Sequence, residues 1–219
     1  MPILFAATAN AHKVDELRSL LGPAFTLLSL RDTNARFEIP ETADSFAGNA
    51  LLKAVAWAAY LGTDTCSLQV EGVLADDSGL EVDALGGAPG IHSARFAALD
   101  ASPQEVSGNS SDADNNAKLL RLLAAVPEDQ RTARFRCVLA LVPVMPGLPP
   151  DELAASAQFF EGICPGQIRQ TASGQHGFGY DPLFVPDGYS ESFAELGEHT
   201  KNRISHRARA VQALVQGVA

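Results

Sequence analysis

Val73-Leu74-Ala75-Asp76-Asp77-Ser78-Gly79-Leu80-Glu81-Val82-Asp83-Ala84-Leu85 is the stretch whose reading decides the fold. Its apolar lead-in, Val73 to Ala75, reads as the end of a buried strand. Two adjacent carboxylates follow, and then Ser78-Gly79, a turn pair. Beyond it Leu80, Val82 and Ala84 alternate with Glu81, Asp83 and Leu85, so a hairpin with a second strand is expected. Four acids within eight residues repel one another unless they are solvated, protonated or holding a cation. Neighbouring strand residues point to opposite faces, so Asp76 and Asp77 cannot both enter one pocket. Two readings stand at this point. The acids are a solvated hairpin tip, or one is structural and the other does chemistry.

The chain has 219 residues, enough for one sizeable core, and 46% hydrophobic with 19% charged residues is the composition of a folded globule. One domain spanning 1–219 is expected. The net charge of −10 argues against gripping a nucleic-acid polymer, which calls for a basic face. A small anionic substrate remains compatible if a divalent metal and local cations offset the field. Cys66, Cys137 and Cys164 are far apart and show no metal-ligand spacing, so they read as free thiols in a reducing compartment. No apolar run approaches a membrane span, and Met1 to Thr8 reads as a first strand, not a signal peptide. A soluble, cytoplasmic protein is predicted.

Outward from the acidic stretch, Ile3 to Ala7 reads as a buried strand and Thr8-Ala9-Asn10-Ala11-His12-Lys13 as its connection to a helix carrying Val14, Leu17, Leu20 and Leu21. Asn10 is its N-cap. Lys13 then lies in the first turn, where the helix dipole disfavours a cation. A bound anion would resolve the conflict; a solvated lysine would tolerate it. Phe25 to Leu30 reads as a second strand and Arg31 to Pro40 as a loop. A long helix follows from Ser45 to Leu61, with Asn49 and Lys53 together beside its apolar stripe and Gly62 ending it.

Gly86-Gly87-Ala88-Pro89-Gly90 sets a specific loop, and Gly108 to Asn116 is a polar lead into a helix with Leu119, Leu120, Leu122 and Leu123. Thr132 to Val144 and Ala155 to Arg169 read as an antiparallel strand pair, the second broken near Gly162 or Pro165, joined by a proline-rich surface connection. Gly177-Phe178-Gly179-Tyr180-Asp181-Pro182 is a second chemically dense loop. The last segment, Glu198 to Ala219, carries a helical stripe, and Ser205 as N-cap puts His206 and Arg207 in its first turn. That repeats the conflict at Lys13.

An acid pair on a strand, a cationic strand-to-helix turn, an aromatic glycine loop and a basic helix start suit a nucleoside triphosphate with a divalent metal. Carboxylates hold the metal, cations and amides hold phosphates, and Phe178 stacks on a base. The segments Thr8 to Lys13, Glu41-Thr42 with Phe46 and Asn49-Ala50, Ala75 to Leu80, Gly86 to Arg95, Gly177 to Pro182 and Lys201 to Arg207 occur in one order along nearly the whole chain. In these segments the sequence resembles the inosine triphosphatase family of nucleoside triphosphate pyrophosphatases, also called the Ham1-like or RdgB-like family.

The resemblance implies hydrolysis of the deaminated purine nucleotides ITP, dITP and XTP to the monophosphate and pyrophosphate, as part of nucleotide-pool sanitation. It implies an α/β fold with an elongated mixed sheet flanked by helices, in two lobes with a central active-site cleft, a homodimer, and dependence on Mg2+. Carried over by position, Thr8, Ala9, Asn10, Ala11, His12 and Lys13 contact the triphosphate. Asp77 is metal ligand and proton acceptor, Glu41 the second metal ligand, and Ser78 a substrate contact. Phe178, Gly179, Tyr180 and Asp181 line the base and sugar site, and Lys201, His206 and Arg207 complete it. Lys13 and Lys53 serve catalysis as fixed positive charges. Backbone amides or Arg207 would donate to the 6-oxo group of hypoxanthine or xanthine, where adenine presents an opposed donor. By strand alternation Asp76 faces away and braces the turn, while Ser78 and Gly79 let the chain bend.

Three positions depart from the family pattern. Ala9 and Ala43 stand where glycine is usual, and Ala9 would be strained if its site required positive φ. Gln175-His176 likewise replaces a common glycine, and Pro146 to Pro150 reads as a lineage-specific loop. The alternatives are a related pyrophosphatase acting on pyrimidine or standard nucleotides, a non-catalytic nucleotide sensor, and a metal-dependent phosphomonoesterase.

Overall fold

The structure is a computed structural model describing residues 1–33, 35, 37, 39–63, 68–100 and 108–218. Cys66, Ala219 and positions 34, 36 and 38 of the Arg31-to-Pro40 connection lie outside the described residues. The elements are β1 (Ile3–Ala6), α1 (Ala11–Leu21), β2 (Thr26–Ser29), α2 (Phe46–Leu61), β3 (Gly72–Val82), α3 (Asp112–Leu122), β4 (Thr132–Pro143), α4 (Pro150–Ala155), β5 (Gln158–Ile168), β6 (Phe184–Pro186), α5 (Phe193–Ile204) and α6 (His206–Gly217), with short 3-10 turns between them. Six strands form one mixed sheet in the order β2-β1-β3-β4-β5-β6. The chain divides into two compact units, Met1–Asp77 with Cys137–Gly162 and Arg207–Ala219, and Ser78–Arg136 with Ile163–His206.

In the first unit β1 runs parallel to β2 and to β3, with Ile3 opposite Thr26 and Leu4 opposite Gly72. Parallel neighbours need crossover connections, which α1 and α2 supply. The strands are therefore covered on both faces and read as apolar runs. On one face Leu4, Ala6, Leu74, Cys137 and Leu139 pack with Val14 and Leu17 of α1 and Val211 and Leu214 of α6. On the other Phe5, Val73, Ala75, Ala140 and Val142 pack with Ala50, Ala54 and Trp57 of α2 and Leu153 of α4. The helix starts are capped: Asn10, as expected, accepts from the Lys13 amide, and Ser45, expected as the first helical residue, accepts from the Gly48 amide.

The second unit has one apolar core. Leu80 and Val82 of β3, Phe135 of β4, Cys164 and Ile168 of β5, Phe184 of β6, Leu119 of α3 and Phe193 of α5 meet in it. β5 and β6 are antiparallel, with Gly166 opposite Pro186.

Four sequence expectations are corrected. No turn occurs at Ser78-Gly79, because β3 runs unbroken through the pair. Apolar residues continue at Leu80 and Val82, so the buried ladder overrides the local turn preference. The chain turns only after Val82, where Gly86 and Gly87 adopt φ of 64° and 93° and the Gly87 amide closes onto the Val82 carbonyl. β5 likewise runs from Gln158 through Gly162 and Pro165. The connection before it contains the start of α4, and the C-terminal segment is two helices meeting at Ser205. Cys137 and Cys164 are free and buried as expected.

Gly166 shows how closely β5 and β6 approach. A Cβ there would lie 2.3 Å from the Val185 carbonyl oxygen and 3.0 Å from the Pro186 Cα. Both obstacles are backbone, so the strand pair would have to separate. Gly166→Ala is expected to destabilise the protein by about 1–3 kcal/mol, read as a lowered urea midpoint at unchanged slope.

Candidate active site

Strand alternation at Asp76-Asp77 sends two adjacent carboxylates into different layers of the first unit. Asp76 follows Leu74 onto the α1 and α6 face. Lys13 donates to its Oδ1, and Arg207 Nε donates to its Oδ2 at 2.8 Å. The Cys137 thiol donates to the same Oδ2 at 3.3 Å. Arg207 Nη1 pairs in turn with Glu16 of α1. Asp76 and Arg207 are each only 1% exposed. Burial by itself would raise the Asp76 carboxyl, but the charges of Arg207 and Lys13 outweigh it and hold the group well below its ordinary value. Burial, reinforced by the Asp76 charge, pushes the Cys137 thiol well up, so it stays a neutral donor.

This arrangement revises three expectations. Asp76 does not brace a turn; it is the hub of a buried ion-pair cluster. Lys13 resolves its conflict with the helix dipole through Asp76, with no need of a bound anion. Arg207, expected to donate to a base's 6-oxo group, instead directs its guanidinium to Asp76 and Glu16.

Asp77 follows Ala75 onto the α2 face. Lys53 Nζ donates to Asp77 Oδ1 at 3.1 Å, to Glu41 Oε1 at 2.9 Å and to the Asp76 carbonyl at 2.9 Å. Burial lowers the Lys53 ammonium's proton affinity, but Asp77 and Glu41 reverse this and raise it. Burial raises the Asp77 carboxyl above its ordinary value, against the pull of Lys53 and Lys13 and with help from Glu41. Its Oδ2 is buried and, among the described residues, accepts no hydrogen bond. Two carboxylates sharing one ammonium, one of them with an open oxygen, fit magnesium, which takes one or two protein carboxylates and completes its shell with phosphates and water. Among the described residues no set of three His, Cys, Asp or Glu side chains converges on one point. A closed, all-protein metal cage is therefore not what these residues build.

The segment carrying Glu41 is held by Asn49. Its side chain, fully buried, accepts from the Ala43 amide at 3.0 Å, while its Nδ2 has no hydrogen-bond partner among the described residues. Ala43 fits because residue 48 is glycine: a Cβ at Gly48 would lie 2.5 Å from the Ala43 Cβ. In the β1–α1 turn Thr8 Oγ1 accepts from the Asn10 amide. Thr8, Ala9 and Ala11 line a small pocket with Ser29 and Arg31, and His12 is exposed. Among the described residues no non-glycine residue has positive φ, so Ala9 carries no such strain.

The second unit holds the aromatic loop. Asp181 Oδ2 accepts from the Phe178 amide at 3.0 Å and from Lys201 Nζ at 2.6 Å. The Lys201 ammonium lies 4.6 Å from the centroid of the Phe178 ring, a cation–π contact. Gly177 makes room for this carboxylate, since a Cβ there would lie 2.0 Å from Asp181 Oδ2. The Tyr180 hydroxyl donates to the Ser93 carbonyl at 2.9 Å, and burial pushes its pKa up. The Gly179 amide donates to Asp112 Oδ2 at 2.6 Å, and Asn116 Nδ2 donates to the Gly179 carbonyl at 2.9 Å. His206 is buried and stacked on Phe135, centroids 4.8 Å apart. Ser78 is half-buried in this unit.

The family model described as Ham1 family matches residues 4–217. The chain belongs to the Ham1 family. It is 44% identical over 214 residues to the dITP/XTP pyrophosphatase of Desulforamulus reducens, covering 97% of this chain and 94% of that one. It is 45% identical over 213 residues to the dITP/XTP pyrophosphatase of Pseudomonas syringae pv. tomato, covering 97% and 95%. Among solved structures, a Ham1 protein from Coxiella burnetii superposes with a TM-score of 0.78 at 32% identity, covering all of both chains. A nucleoside-triphosphatase / dITP/XTP pyrophosphatase from Mycobacterium abscessus superposes with a TM-score of 0.70 at 37% identity, covering 97% of this chain and 98% of that one. The fold is thus the α/β Ham1 fold with its mixed six-stranded sheet.

Sequence reasoning missed four participants in this Ham1 chain: Glu16, Cys137, Asp112 and Asn116. Glu16 stands three residues after Lys13, a helical neighbour that spacing alone pointed to. Cys137 lies inside an apolar strand and carries no such signal.

The Asp76 cluster yields a stability prediction. Removing one partner of a buried pair strands the other charges, so Asp76→Asn is expected to destabilise by about 3–5 kcal/mol at pH 7. The folded-state pKa of Asp76 is depressed, so its contribution is complete above the unfolded value of about 4 and is lost as pH falls through the folded value. Urea midpoints should therefore differ widely between wild type and variant at pH 7 and draw together below pH ~4.

Proposed function

We propose that this Ham1 chain is a pyrophosphatase that hydrolyses dITP, ITP and XTP to the nucleoside monophosphate and pyrophosphate. The observation that carries the reading is the Asp77 carboxylate, buried with an open Oδ2 and sharing Lys53 with Glu41. The names borne by the Ham1 relatives support the substrate class. Nucleotide-pool sanitation by a cytoplasmic homodimer follows from the family resemblance, and the net charge of −10 agrees with a free nucleotide as partner and not a nucleic-acid polymer.

Asp77 and Glu41 would hold magnesium, which when bound neutralises charge on the phosphoryl oxygens. Lys53 fixes both carboxylates and contributes positive charge beside them. The start of α1 is a helix N-terminus, the usual place for a phosphate, and Thr8 to Lys13 form the turn that would contact the triphosphate. A water oxygen bonds to the α-phosphorus as the bond to the pyrophosphate oxygen breaks. By the family resemblance Asp77 is also the acceptor for the proton from that water. No protein nucleophile is required.

In the second unit Phe178 is the stacking surface for the purine. The Phe178 and Gly179 amides already donate to Asp181 and Asp112, and Arg207 is held by Asp76 and Glu16. The cation beside the ring is Lys201, which itself donates to Asp181 at 2.6 Å. A remaining ammonium hydrogen donated to a 6-oxo acceptor would oppose the 6-amino donor of adenine, a mismatch worth about 1–3 kcal/mol.

The test is a substrate panel of ITP, dITP, XTP and the four standard triphosphates with magnesium, with product identification. Pyrophosphate release, fastest on the deaminated purines, is expected. Orthophosphate would indicate a phosphomonoesterase, equal rates on ATP would remove the base preference, and binding without turnover would indicate a sensor. Asp77→Asn is expected to lower kcat at least a hundredfold, within the range of about 10²–10⁴ for lost acid–base catalysis. Its melting temperature should be unchanged or higher, because a carboxylate that burial disfavours has been neutralised.

A further inference from the structure

The loop assigned to the base is gripped from outside by α3, a helix with no role in the reading above. Asp112 and Asn116 are four residues apart and share one helix face. From that face Asp112 Oδ2 accepts from the Gly179 amide at 2.6 Å, and Asn116 Nδ2 donates to the Gly179 carbonyl at 2.9 Å. Both backbone polar groups of one residue are thus held by one helix. Gly179 has φ of 63° with nothing within 4 Å of an added Cβ, so glycine serves here for its conformation and not for space. Asn116 keeps this bond while its Oδ1 stays buried without a hydrogen-bond partner among the described residues. A side chain placed for its own satisfaction would not leave that acceptor open.

The helix is anchored independently of the loop. Ser111 caps it, accepting from the Asp114 amide. Asn115 accepts from the Ala97 amide at 2.8 Å, Lys118 donates to the Phe96 carbonyl at 2.7 Å, and Leu119 is in the core. The grip on Gly179 is therefore applied from a rigid element to the residue next to Phe178. Resting on the assignment of Phe178 to the base, we propose that Asp112 and Asn116 are positioning residues for base recognition, fixing the Phe178 ring by clamping the Gly179 peptide groups.

The test uses the full-length enzyme with ITP as substrate. Asp112→Ala and Asn116→Ala are expected to raise KM about fivefold to tenfold with kcat within about twofold, since a base contact acts on binding more than on the chemical step. Asp112→Asn keeps an acceptor for the Gly179 amide and should restore KM. Asn116→Asp keeps the shape but faces the Gly179 carbonyl with an acceptor, so it should raise KM as alanine does, which covers the case of a poorly folded alanine variant. In a Phe178→Ala background, itself raising KM about tenfold from lost stacking, Asp112→Ala should add little, because both act through one ring. Full additivity, or unchanged KM in the Asp112 and Asn116 variants while Phe178→Ala raises it, would overturn the clamp alone. An unchanged KM in Phe178→Ala would overturn the base assignment, and the clamp with it.

Discussion

A carboxylate removed from water has to be paired, and Asp76 is paired by Lys13, Arg207 and Cys137 together. These partners come from α1, α6 and β4, so one side chain of β3 sets where three other elements of the first unit must lie. The geometry of the β1–α1 turn follows from it: Lys13 is drawn inward to Asp76, and Asn10 caps the helix around it. The start of α6 follows as well, through Arg207 and its second partner, Glu16. A buried ion cluster of this kind is weak as a source of net stability, since desolvation offsets much of the attraction. Its value is in position: an apolar replacement would pack, but it would not specify which atoms meet.

The same strand, one residue later, is arranged in the opposite sense. Asp76 is held as an anion by two cations, whereas Asp77 has Lys53, a second carboxylate nearby, and an oxygen with no donor. Burial wins at Asp77 and loses at Asp76. Strand alternation puts the two acids in different surroundings, Asp76 between two cations and Asp77 beside Lys53 and a second carboxylate. Protonating Asp76 would break two ion pairs, with Lys13 and with Arg207.

The alternating faces of β3 were legible in the residues, and so was the inequality of the two acids. The direction of Asp76 was legible only in part. Alternation predicts that it turns away from Asp77, but nothing local says that Lys13 and Arg207, distant in sequence, converge on it. The Ser78-Gly79 pair misled for a related reason: turn propensity is local, while burial of Leu80 and Val82 is a property of the assembled core. Caps and helix ends depend on a few adjacent groups, and Asn10 and Gly62 were read correctly. The dense loop at Phe178 was visible as a motif. The residues that hold it, Asp112 and Asn116, lie in a polar helix start that resembles any solvated one.

That loop also changes how base selection has to work. A loop rich in glycine and aromatics is naturally read as offering backbone amides to a ligand. Here the Phe178 amide belongs to Asp181 and the Gly179 amide to Asp112, while the Gly179 carbonyl belongs to Asn116. The Tyr180 hydroxyl is bonded to the Ser93 carbonyl. With these groups engaged inside the protein, the proposed base contact would rest on side chains, the Phe178 ring and Lys201 beside it. A base stacked on Phe178, as proposed, would meet a loop already ordered, so little freedom would be lost on binding and the stacking energy would go into affinity.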